Sequence, residues 1–336
     1  IKKDEITKSP DNHWNGKMRP EYRAKDDLKI KEKDLKALRS IGITAAHIVP
    51  EKGIFKGKSE LIILNDGNVS ITKDVAQVLS FKTSGWNDPY PNSLLGVIAF
   101  MRQSFFDADW YGKSISILKK HPDENEPIPL NPGLKELNEF RINHKPMLFM
   151  TNEEHGVLRA LRLTREFSLN PWILGSGFEY RRLDEIAESK PFFIFPLEFP
   201  AKPKVKDPNT ALQYSTDQLK HWDMAPDNLF YVNDAGYNFS ITSHQLKKKS
   251  QFRKNIRKVI DRGLSEDIIL AALTTQPAEA LGMQKSLGKI APGYDANLVI
   301  VDGEYFNPDS RVVSVWIEGD EHYIAAKKTP TFLGTW

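Results

Sequence analysis

Two residues with acid–base chemistry directly follow short apolar segments that read as strands. His244 comes two residues after Phe239–Thr242, and Glu198 comes two residues after Phe192–Pro196. An imidazole there can bind a metal or a substrate carboxylate, and catalytic groups gather at strand ends in barrel enzymes. We therefore take His244 and Glu198 as candidate catalytic residues. The alternative interpretations are a histidine that caps a helix or bonds backbone, and a solvated loop glutamate.

Further polar side chains lie near strand ends or in loops and are candidates for ligand binding. The first two follow the apolar segment Met147–Met150, and the third follows Trp172–Leu174. The fourth belongs to the trio His221-Trp222-Asp223, which can also be a loop closed against the core by its aromatic ring. These candidate ligand-binding residues are Thr151, Asn152, Ser176 and His221.

Other polar segments are typical of structural roles. His47 lies in the apolar segment Ile43–Val49, where we expect a core or strand-end position. The basic run Lys247–Lys258 is typical of one solvated helix face. The acidic and aromatic residues of Asp107–Tyr111 are expected to close a helix, although such a pair can also hold a polar ligand.

Composition limits the classes of function that remain. The chain has 336 residues, with 40% hydrophobic and 27% charged residues, a formal net charge of +3 and no cysteine. That length accommodates one barrel of about 250 residues and a smaller appendage. The small net charge gives no reason to expect nucleic acid as a partner, and without a run of about 18 apolar residues we expect no membrane span. Disulfides, thiolate metal sites and a cysteine nucleophile are excluded.

The elements that would position these residues alternate between short apolar runs and amphipathic helices. This alternation predicts an α/β protein with a parallel sheet covered on its faces. The opening Ile1–Asn15 is polar and irregular, and Pro122–Pro132 is expected to be a surface loop. Leu61–Leu64 and Ala76–Phe81 are predicted to be two separate strands or a hairpin around Asp66-Gly67. The other predicted strands are Ile43–Val49, Met147–Met150, Trp172–Leu174, Phe192–Pro196 and Phe239–Thr242.

Helices are predicted between and after those strands. At the end of the chain, strands without an intervening helix are predicted instead. Ala296–Val301 and Val312–Glu318 are separated by a turn and are predicted to form an antiparallel pair. The predicted helices begin at Asn92-Ser93 and cover Val157–Phe167, Tyr180–Glu188, Gln251–Arg262 and Glu266–Leu273.

The segment Ala272–Gly303 carries the sharpest motif in the chain. It contains Leu273-Thr274-Thr275-Gln276-Pro277-Ala278, then Leu281-Gly282, Leu287-Gly288, and Ala291-Pro292-Gly293-Tyr294-Asp295-Ala296-Asn297-Leu298-Val299. It resembles the closing signature of the amidohydrolase superfamily, specifically the imidazolonepropionase-like branch. In that family the chain leaves the last barrel helix, passes a glycine-containing loop and enters a small β-sandwich. The threonine hydroxyls can end the helix by bonding its free carbonyls, and the glycines supply turns.

The resemblance covers roughly residues 35–325 and implies a fold. That fold is α/β, a distorted (β/α)8 TIM-like barrel with a small β-sandwich appendage, and its N-terminal strand or strands would be absent from this chain. We expect an irregular N-terminal segment at 1–35, the barrel at 36–290, strands of the sandwich at 291–326 and a linker at 327–336.

The resemblance also implies a metal site, and the chain departs from it. Family members hold one or two divalent metals with a His-x-His, single histidines after strands 5 and 6, and an aspartate after strand 8. No His-x-His occurs here, Thr151-Asn152 and Gly175-Ser176-Gly177 stand where the single histidines would be, and His244 stands in place of the aspartate. We therefore assign no metal ligand and expect no bound cofactor, with zinc or another divalent metal as the alternative if the family site is retained.

Three functions follow from this resemblance. The first is a hydrolase acting on C–N bonds in amides, cyclic amides or dipeptides, with a degenerate metal site in this segment. The second is a non-catalytic structural or regulatory barrel, because the chain looks similar to the degenerate first half of long tandem bacterial amidohydrolases. The third is a module that binds a small ligand without chemistry. Whether the chain is an enzyme is left open at this point.

The expected partners follow from the missing strand. A barrel without its first strand leaves two unpaired sheet edges, so we expect an N-terminal segment or a second amidohydrolase-like domain to complete the barrel and the sandwich. A homo-oligomer is a further option. The tandem relatives suggest an exported or periplasmic location, and the residues themselves do not assign a compartment.

Overall fold

The computed structural model describes residues 13–66, 71–83, 85, 87–123 and 126–325. The chain forms two compact units. The first unit consists of Ile1–Leu28, His47–Leu61 and Lys73–Ile194, and the second of Lys29–Ala46, Ile62–Thr72 and Phe195–Trp336.

The described strands form two sheets. In the larger sheet seven strands are hydrogen-bonded in sequence order, and in the smaller sheet three strands have the order β10-β9-β8. The strands are β1 (Ala45–Ile48), β2 (Phe55–Ile63), β3 (Ile71–Ser80), β4 (Pro146–Met150), β5 (Asn170–Leu174), β6 (Phe192–Pro196), β7 (Phe239–Thr242), β8 (Leu298–Val301), β9 (Val312–Ile317) and β10 (Asp320–Tyr323).

The described α-helices lie mainly between the strands of the larger sheet and after β7. No described helix is long and apolar enough to cross a bilayer. The helices are α1 (Glu32–Arg39), α2 (Leu94–Lys120), α3 (Pro132–Ile142), α4 (Glu154–Phe167), α5 (Leu183–Ile186), α6 (Pro208–Ala211), α7 (Thr216–Met224), α8 (Asn228–Asp234), α9 (Gln251–Asp261), α10 (Glu266–Leu273) and α11 (Thr275–Ala280).

The first unit contains the parallel part of the larger sheet. β3 to β6 pair in parallel, and the pairs Ser80–Met150, Met150–Leu174 and Leu174–Ile194 bring the carboxyl ends of these strands to one edge. Met147, Phe149 and Ile173 are fully buried, as expected for strands with helices in the connections between them. The predicted α/β fold with repeated strand–helix units is confirmed.

The predicted hairpin in the first unit is longer than expected. Ser59 Oγ contacts both backbone groups of Ala76, and the backbone N–H of Ser80 donates to the carbonyl of Ile54 at 2.9 Å. This spacing makes β2 and β3 antiparallel. β2 begins at Phe55 rather than at residue 61, and its first half contains the buried Lys58 and Glu60, which a pattern of apolar residues does not predict. Gly67 of the predicted turn lies outside the described residues.

The predicted helix after Asn92-Ser93 is confirmed at its start and wrong at its end. Ser93 Oγ accepts a hydrogen bond from the backbone N–H of Gly96 at 3.2 Å, which makes Ser93 the N-cap. The residues expected to close the helix lie inside it, since α2 continues to Lys120. Asp109 lies within the helix, and its Oδ1 atom forms an ion pair with Arg141 Nη2 at 2.5 Å.

The second unit contains the motif Ala272–Gly303, which begins at the end of helix α10. Thr274 Oγ1 donates to the carbonyl of Leu270 at 2.6 Å, and α10 ends at Leu273, as predicted. The predicted antiparallel pair is confirmed as β8 and β9. β10 was not predicted, because Asp320-Glu321-His322 gives a polar edge strand without an apolar run. The completion of this sheet to a sandwich stays a prediction.

Candidate functional site

In the first unit, the hydroxyl of Thr151 is used by the neighbouring strand. Thr151 directly follows β4, is 6% exposed, and donates from Oγ1 to the carbonyl of Leu174 at 2.7 Å. Leu174 is the last residue of β5. The hydrogen bond therefore ties two strand ends together, and the adjacent Asn152 is exposed.

The end of β5 is closed by a carboxylate that sequence reasoning missed. Glu179 is fully buried, and its Oε1 accepts from the backbone N–H of Ser176 at 2.6 Å and from Ser176 Oγ at 2.8 Å. Its Oε2 accepts from the backbone N–H of Gly177 at 3.0 Å. These are the donors that an external anion would use at this position. The signal in the sequence was the Ser-x-x-Glu spacing, which is typical of a capping box.

His47 lies in strand β1 and is partly buried, in one of the two positions expected of it. Its ring lies 6.0 Å from the ring of Trp172 in an edge-on arrangement, and its Nε2 atom is buried without a hydrogen-bond partner. Burial lowers the pKa of His47 from 6.5 to about 4. The imidazole is therefore neutral at physiological pH.

A cluster of charged side chains on β2 and β3, with partners on two other segments of the first unit, was also not predicted from the sequence. Lys58 Nζ lies 3.2 Å from Asp74 Oδ2 and 3.0 Å from Glu136 Oε1, and Arg23 Nη2 lies 2.9 Å from Asp74 Oδ2. Burial raises the pKa of Glu60. Burial would also raise the pKa of Asp74, but the hydrogen bond and charge of Lys58 hold that pKa below its ordinary value. The cluster stabilises the hairpin through ion pairs.

In the second unit, Glu198 lies beside a fixed backbone group. The carbonyl of Leu197, which is fully buried, accepts a hydrogen bond from Asn255 Nδ2 at 2.6 Å. Glu198 itself is exposed. Asn255 on α9 was not singled out from the sequence, because its partner is 58 positions away.

The residues after β7 turn the chain by backbone contacts. The backbone N–H of His244 donates to Thr242 Oγ1 at 3.1 Å, and the carbonyl of Ser243 accepts from Lys249 Nζ at 2.5 Å. His244 is exposed. The structure thus places an exposed imidazole directly after a strand end.

The third candidate of the second unit lies on a helix. His221 is in the last turn of α7 and is partly buried. Its neighbour Asp223 pairs with Arg262 at 2.8 Å, and Asp227 pairs with the same guanidinium at 3.2 Å. The trio therefore belongs to a helix rather than to a loop.

The basic run in α9 is not uniformly solvated. The guanidinium of Arg253 donates to the carbonyls of Tyr305 and Ser310 and to Ser310 Oγ. These contacts fix the loop between β8 and β9. The prediction of one solvated face is therefore wrong for Arg253, because its donors are needed by loop carbonyls that lie far along the chain.

Two of the candidate residues lie at one sheet edge in the first unit, and three others belong to the second unit. Thr151 and Ser176 follow neighbouring parallel strands of the first unit and lie at one sheet edge, whereas Glu198, His221 and His244 belong to the second unit. The catalytic and ligand-binding roles assigned to the six residues stay predictions.

A bound divalent metal needs several imidazole or carboxylate side chains close together. Within the residues that the structure describes, no three His, Asp or Glu side chains lie together so that they could hold a metal ion. The described ends of β4 and β5 offer hydroxyl and amide groups and one carboxylate, that of Glu179, whose oxygens already accept from Ser176 and Gly177. Zinc takes several imidazole and carboxylate ligands together. These strand ends do not fit the metal that the family uses.

Repeated strand–helix units, with polar groups collected at the carboxyl ends of parallel strands, define the TIM-barrel-like class of α/β proteins. The profile of the Amidohydrolase family matches residues 201–321. The amidohydrolase tasK of Hapsidospora irregularis is 41% identical over 61 residues, which is 18% of this chain and 6% of that relative. The structure of an amidohydrolase from Thermotoga maritima MSB8 superposes with a TM-score of 0.76 at 22% identity, covering 94% of this chain and 81% of that one. Residues 201–321 thus carry a sequence likeness to the Amidohydrolase family, and the superposition shows that the fold is of the amidohydrolase type.

Proposed function

We propose that the chain is the amidohydrolase-fold domain of a hydrolase acting on C–N bonds of amides, cyclic amides or dipeptides. Within that protein the described strand ends serve as scaffold and hold no metal. The observation that carries this proposal is the carboxylate of Glu179, which accepts the hydrogen bonds of Ser176 and Gly177 after β5. A strand end whose donors are used internally cannot offer them to a substrate.

The substrate class rests on the motif at the end of the barrel. The segment with Leu287-Gly288 and Pro292-Gly293 resembles the imidazolonepropionase-like branch, and the family profile covers the same part of the chain. The metal used by such enzymes would acidify a water molecule. The described residues of this chain would contribute orientation and exclusion of water, and ligands would come from elsewhere.

A second candidate keeps chemistry in this chain, and the exposed His244 supports it. An imidazole directly after a strand end can accept a proton at neutral pH. In this version His244 would do the work of the family's aspartate, and Glu198 would be the second ionisable group at a strand end. A small-ligand module is less favoured, because the donors of Ser176 already bind Glu179.

Metal content separates the two candidates. Protein dialysed exhaustively against metal-free buffer is measured by elemental analysis beside a known zinc amidohydrolase, and its melting temperature is recorded with and without added Zn²⁺. We expect less than about 0.1 equivalent of metal and no rise in melting temperature, since a bound ligand would stabilise the folded state. One equivalent of zinc, manganese or iron that survives dialysis would contradict the scaffold role.

Activity is read in parallel on a panel of N-acyl amino acids, cyclic amides and dipeptides. The scaffold role predicts no turnover by this chain alone. Turnover that is lost in His244→Gln and retained in the control His155→Gln, which also changes an exposed histidine, would establish the second candidate instead.

Completion by another segment is part of the proposal. β1 and β7 are the end strands of the larger sheet in the described residues, and unpaired strands offer a row of free backbone groups. We propose that an N-terminal segment, or the second domain of a tandem amidohydrolase, pairs with this sheet and completes the sandwich, with export as the matching location. A longer polypeptide that includes such a segment should protect the amides of β1 and β7 from hydrogen exchange, and unchanged exchange would contradict this.

A further inference from the structure

The long helix α2 is apolar on two opposite faces. One face is buried in the first unit and includes Val97, Phe105 and Ala108, all fully buried. A helix on a protein surface normally has a polar outer face, and a helix that is apolar all round is normally covered on both sides. On the outer face the ring of Phe106 packs edge-on against Phe167 at 5.1 Å, and Phe106 still stays 58% exposed. The outer face of α2 is therefore open to a further partner.

The outer face carries large apolar side chains in one line. The exposed fractions are 78% for Leu95, 58% for Phe106, 60% for Trp110 and 52% for Ile117. Leu95 and Ile117 each lie 11 positions from Phe106, and 11 residues make close to three full helical turns. We call these four residues the α2 stripe. Arg102 and Lys113 lie between these apolar residues on the same face and are 45% and 74% exposed. Large apolar side chains aligned on one exposed helix face indicate an interaction site more strongly than single scattered ones do.

The stripe is symmetric about Phe106. In an antiparallel pair of α2 helices with the two-fold axis at Phe106, each residue faces the one equally distant on the other side. Leu95 then faces Ile117 of the second copy, and Arg102 faces Trp110. An isologous interface needs this kind of self-complementary surface.

The polar residues of the stripe also match. Arg102 pairs through Nη2 with Glu166 at 2.6 Å and stays 45% exposed. Stacking of Arg102 on the second copy's Trp110 would be a cation–π contact, and the symmetry makes two of them. Ala99 faces Lys113 of the second copy, so that a small residue accommodates the long lysine stem.

We propose that the α2 stripe binds a second copy of this chain as an antiparallel helix pair. A single helix pair lies at the low end of interface sizes, so we expect a dissociation constant of about 1–100 µM. This interface is independent of the proposed hydrolase or scaffold function.

Sedimentation over a wide range of concentration is the first measurement. The whole chain should pass from monomer to dimer, and Leu95→Glu, which changes an exposed side chain, should weaken the dimer at least tenfold while leaving the melting temperature unchanged. The control Leu212→Glu, whose side chain is 85% exposed and lies in the second unit, should dimerise like the wild type. A chain that stays monomeric at several hundred micromolar, or a dimer insensitive to Leu95→Glu, would overturn the proposal.

Cross-linking determines the direction of the two helices, since the chain has no cysteine of its own. Leu95→Cys and Ile117→Cys are oxidised separately and after mixing. Within one helix the two positions are about 33 Å apart, far beyond the reach of a disulfide. The antiparallel pair therefore predicts disulfide-linked dimers in the mixture and none in either variant alone. Links between two Leu95→Cys chains would indicate parallel helices and contradict the proposed geometry.

Discussion

The carboxylate of Glu179 lies 2.6 Å from the backbone nitrogen of Ser176, directly after strand β5. The same carboxylate accepts from Gly177 at 3.0 Å. Two backbone N–H groups that follow a strand thus find their acceptor three and two residues further along the chain. A carboxylate accepts stronger hydrogen bonds from backbone N–H groups than a neutral acceptor does.

Replacement of Glu179 by glutamine should destabilise the fold. Glutamine keeps one acceptor oxygen, but its amide nitrogen would face a backbone donor. We expect Glu179→Gln to lower the free energy of unfolding by about 1–3 kcal/mol, as measured by urea denaturation. The control Glu185→Gln changes a carboxylate that is 52% exposed and pairs with Arg182, and should stay within about 0.5 kcal/mol of wild type. Equal stability of Glu179→Gln and wild type would contradict the assigned hydrogen bonds.

Removal of the cation from the cluster on β2 and β3 should have a larger effect. The side chain of Lys58 is 5% exposed and contacts Asp74 and Glu136, which are each 25% exposed. Lys58→Met leaves these carboxylates partly buried without their partner, and we expect a loss of about 3 kcal/mol. Lys36→Met is the matched control, because Lys36 and Glu32 are 70% and 74% exposed. A loss for Lys58→Met no larger than for the control would indicate that the cluster is solvated.

The buried imidazole of His47 should make stability depend on pH. Burial lowers its pKa in the folded chain to about 4, below the ordinary 6.5. The unfolded chain therefore binds the proton more tightly, so this contribution to stability is complete above pH 6.5 and is lost as pH falls towards 4. The full shift corresponds to about 3 kcal/mol.

Urea denaturation between pH 4 and pH 8 measures that dependence. His47→Phe should flatten the loss below pH 6.5, because it removes the titrating group and a buried nitrogen without a partner. His155→Gln, at an exposed position, should keep the wild-type profile. If His47→Phe and wild type lose stability in parallel as pH falls, the imidazole does not titrate as we infer.

Those elements of the fold that depend on local pattern could be predicted from the sequence. Phe192–Pro196 and Phe239–Thr242 were predicted with the bounds that β6 and β7 have. The first is a short apolar run, and the second alternates apolar and polar residues, and both patterns are local signals of a strand. β2 was predicted only from residue 61 onwards. Its first half carries Lys58, whose burial depends on Asp74 and Glu136, and neither partner is visible from local pattern.

The site was less predictable than the fold, for a physical reason. The predicted ends Met150 and Leu174 are the ends of β4 and β5, so the sequence placed Thr151 and Ser176 shortly after two strands. It did not reveal that the hydroxyl of Thr151 donates to the carbonyl of Leu174, or that the backbone N–H of Ser176 donates to the carboxylate of Glu179. Position follows from periodicity, but the partner of a polar group depends on the tertiary structure.

Two glycines of the motif Ala272–Gly303 have the same backbone conformation but differ in how closely other atoms pack around them. Gly288 and Gly293 have nearly the same left-handed φ, +88° and +86°. A Cβ on Gly288 would lie 2.7 Å from the carbonyl oxygen of Thr274 and 2.9 Å from the Cβ of Ala278, whereas a Cβ on Gly293 would meet nothing within 4 Å.

Alanine at either position requires the left-handed conformation, which is unfavourable by about 1–2 kcal/mol. Gly288→Ala must in addition displace the backbone at the end of α10, so we expect it to be less stable than Gly293→Ala by at least about 2 kcal/mol. Thermal unfolding of both variants beside the wild type measures the difference. Equal melting temperatures for the two variants would mean that the turn at Gly288 does not pack against Thr274, and that the motif acts through backbone conformation alone.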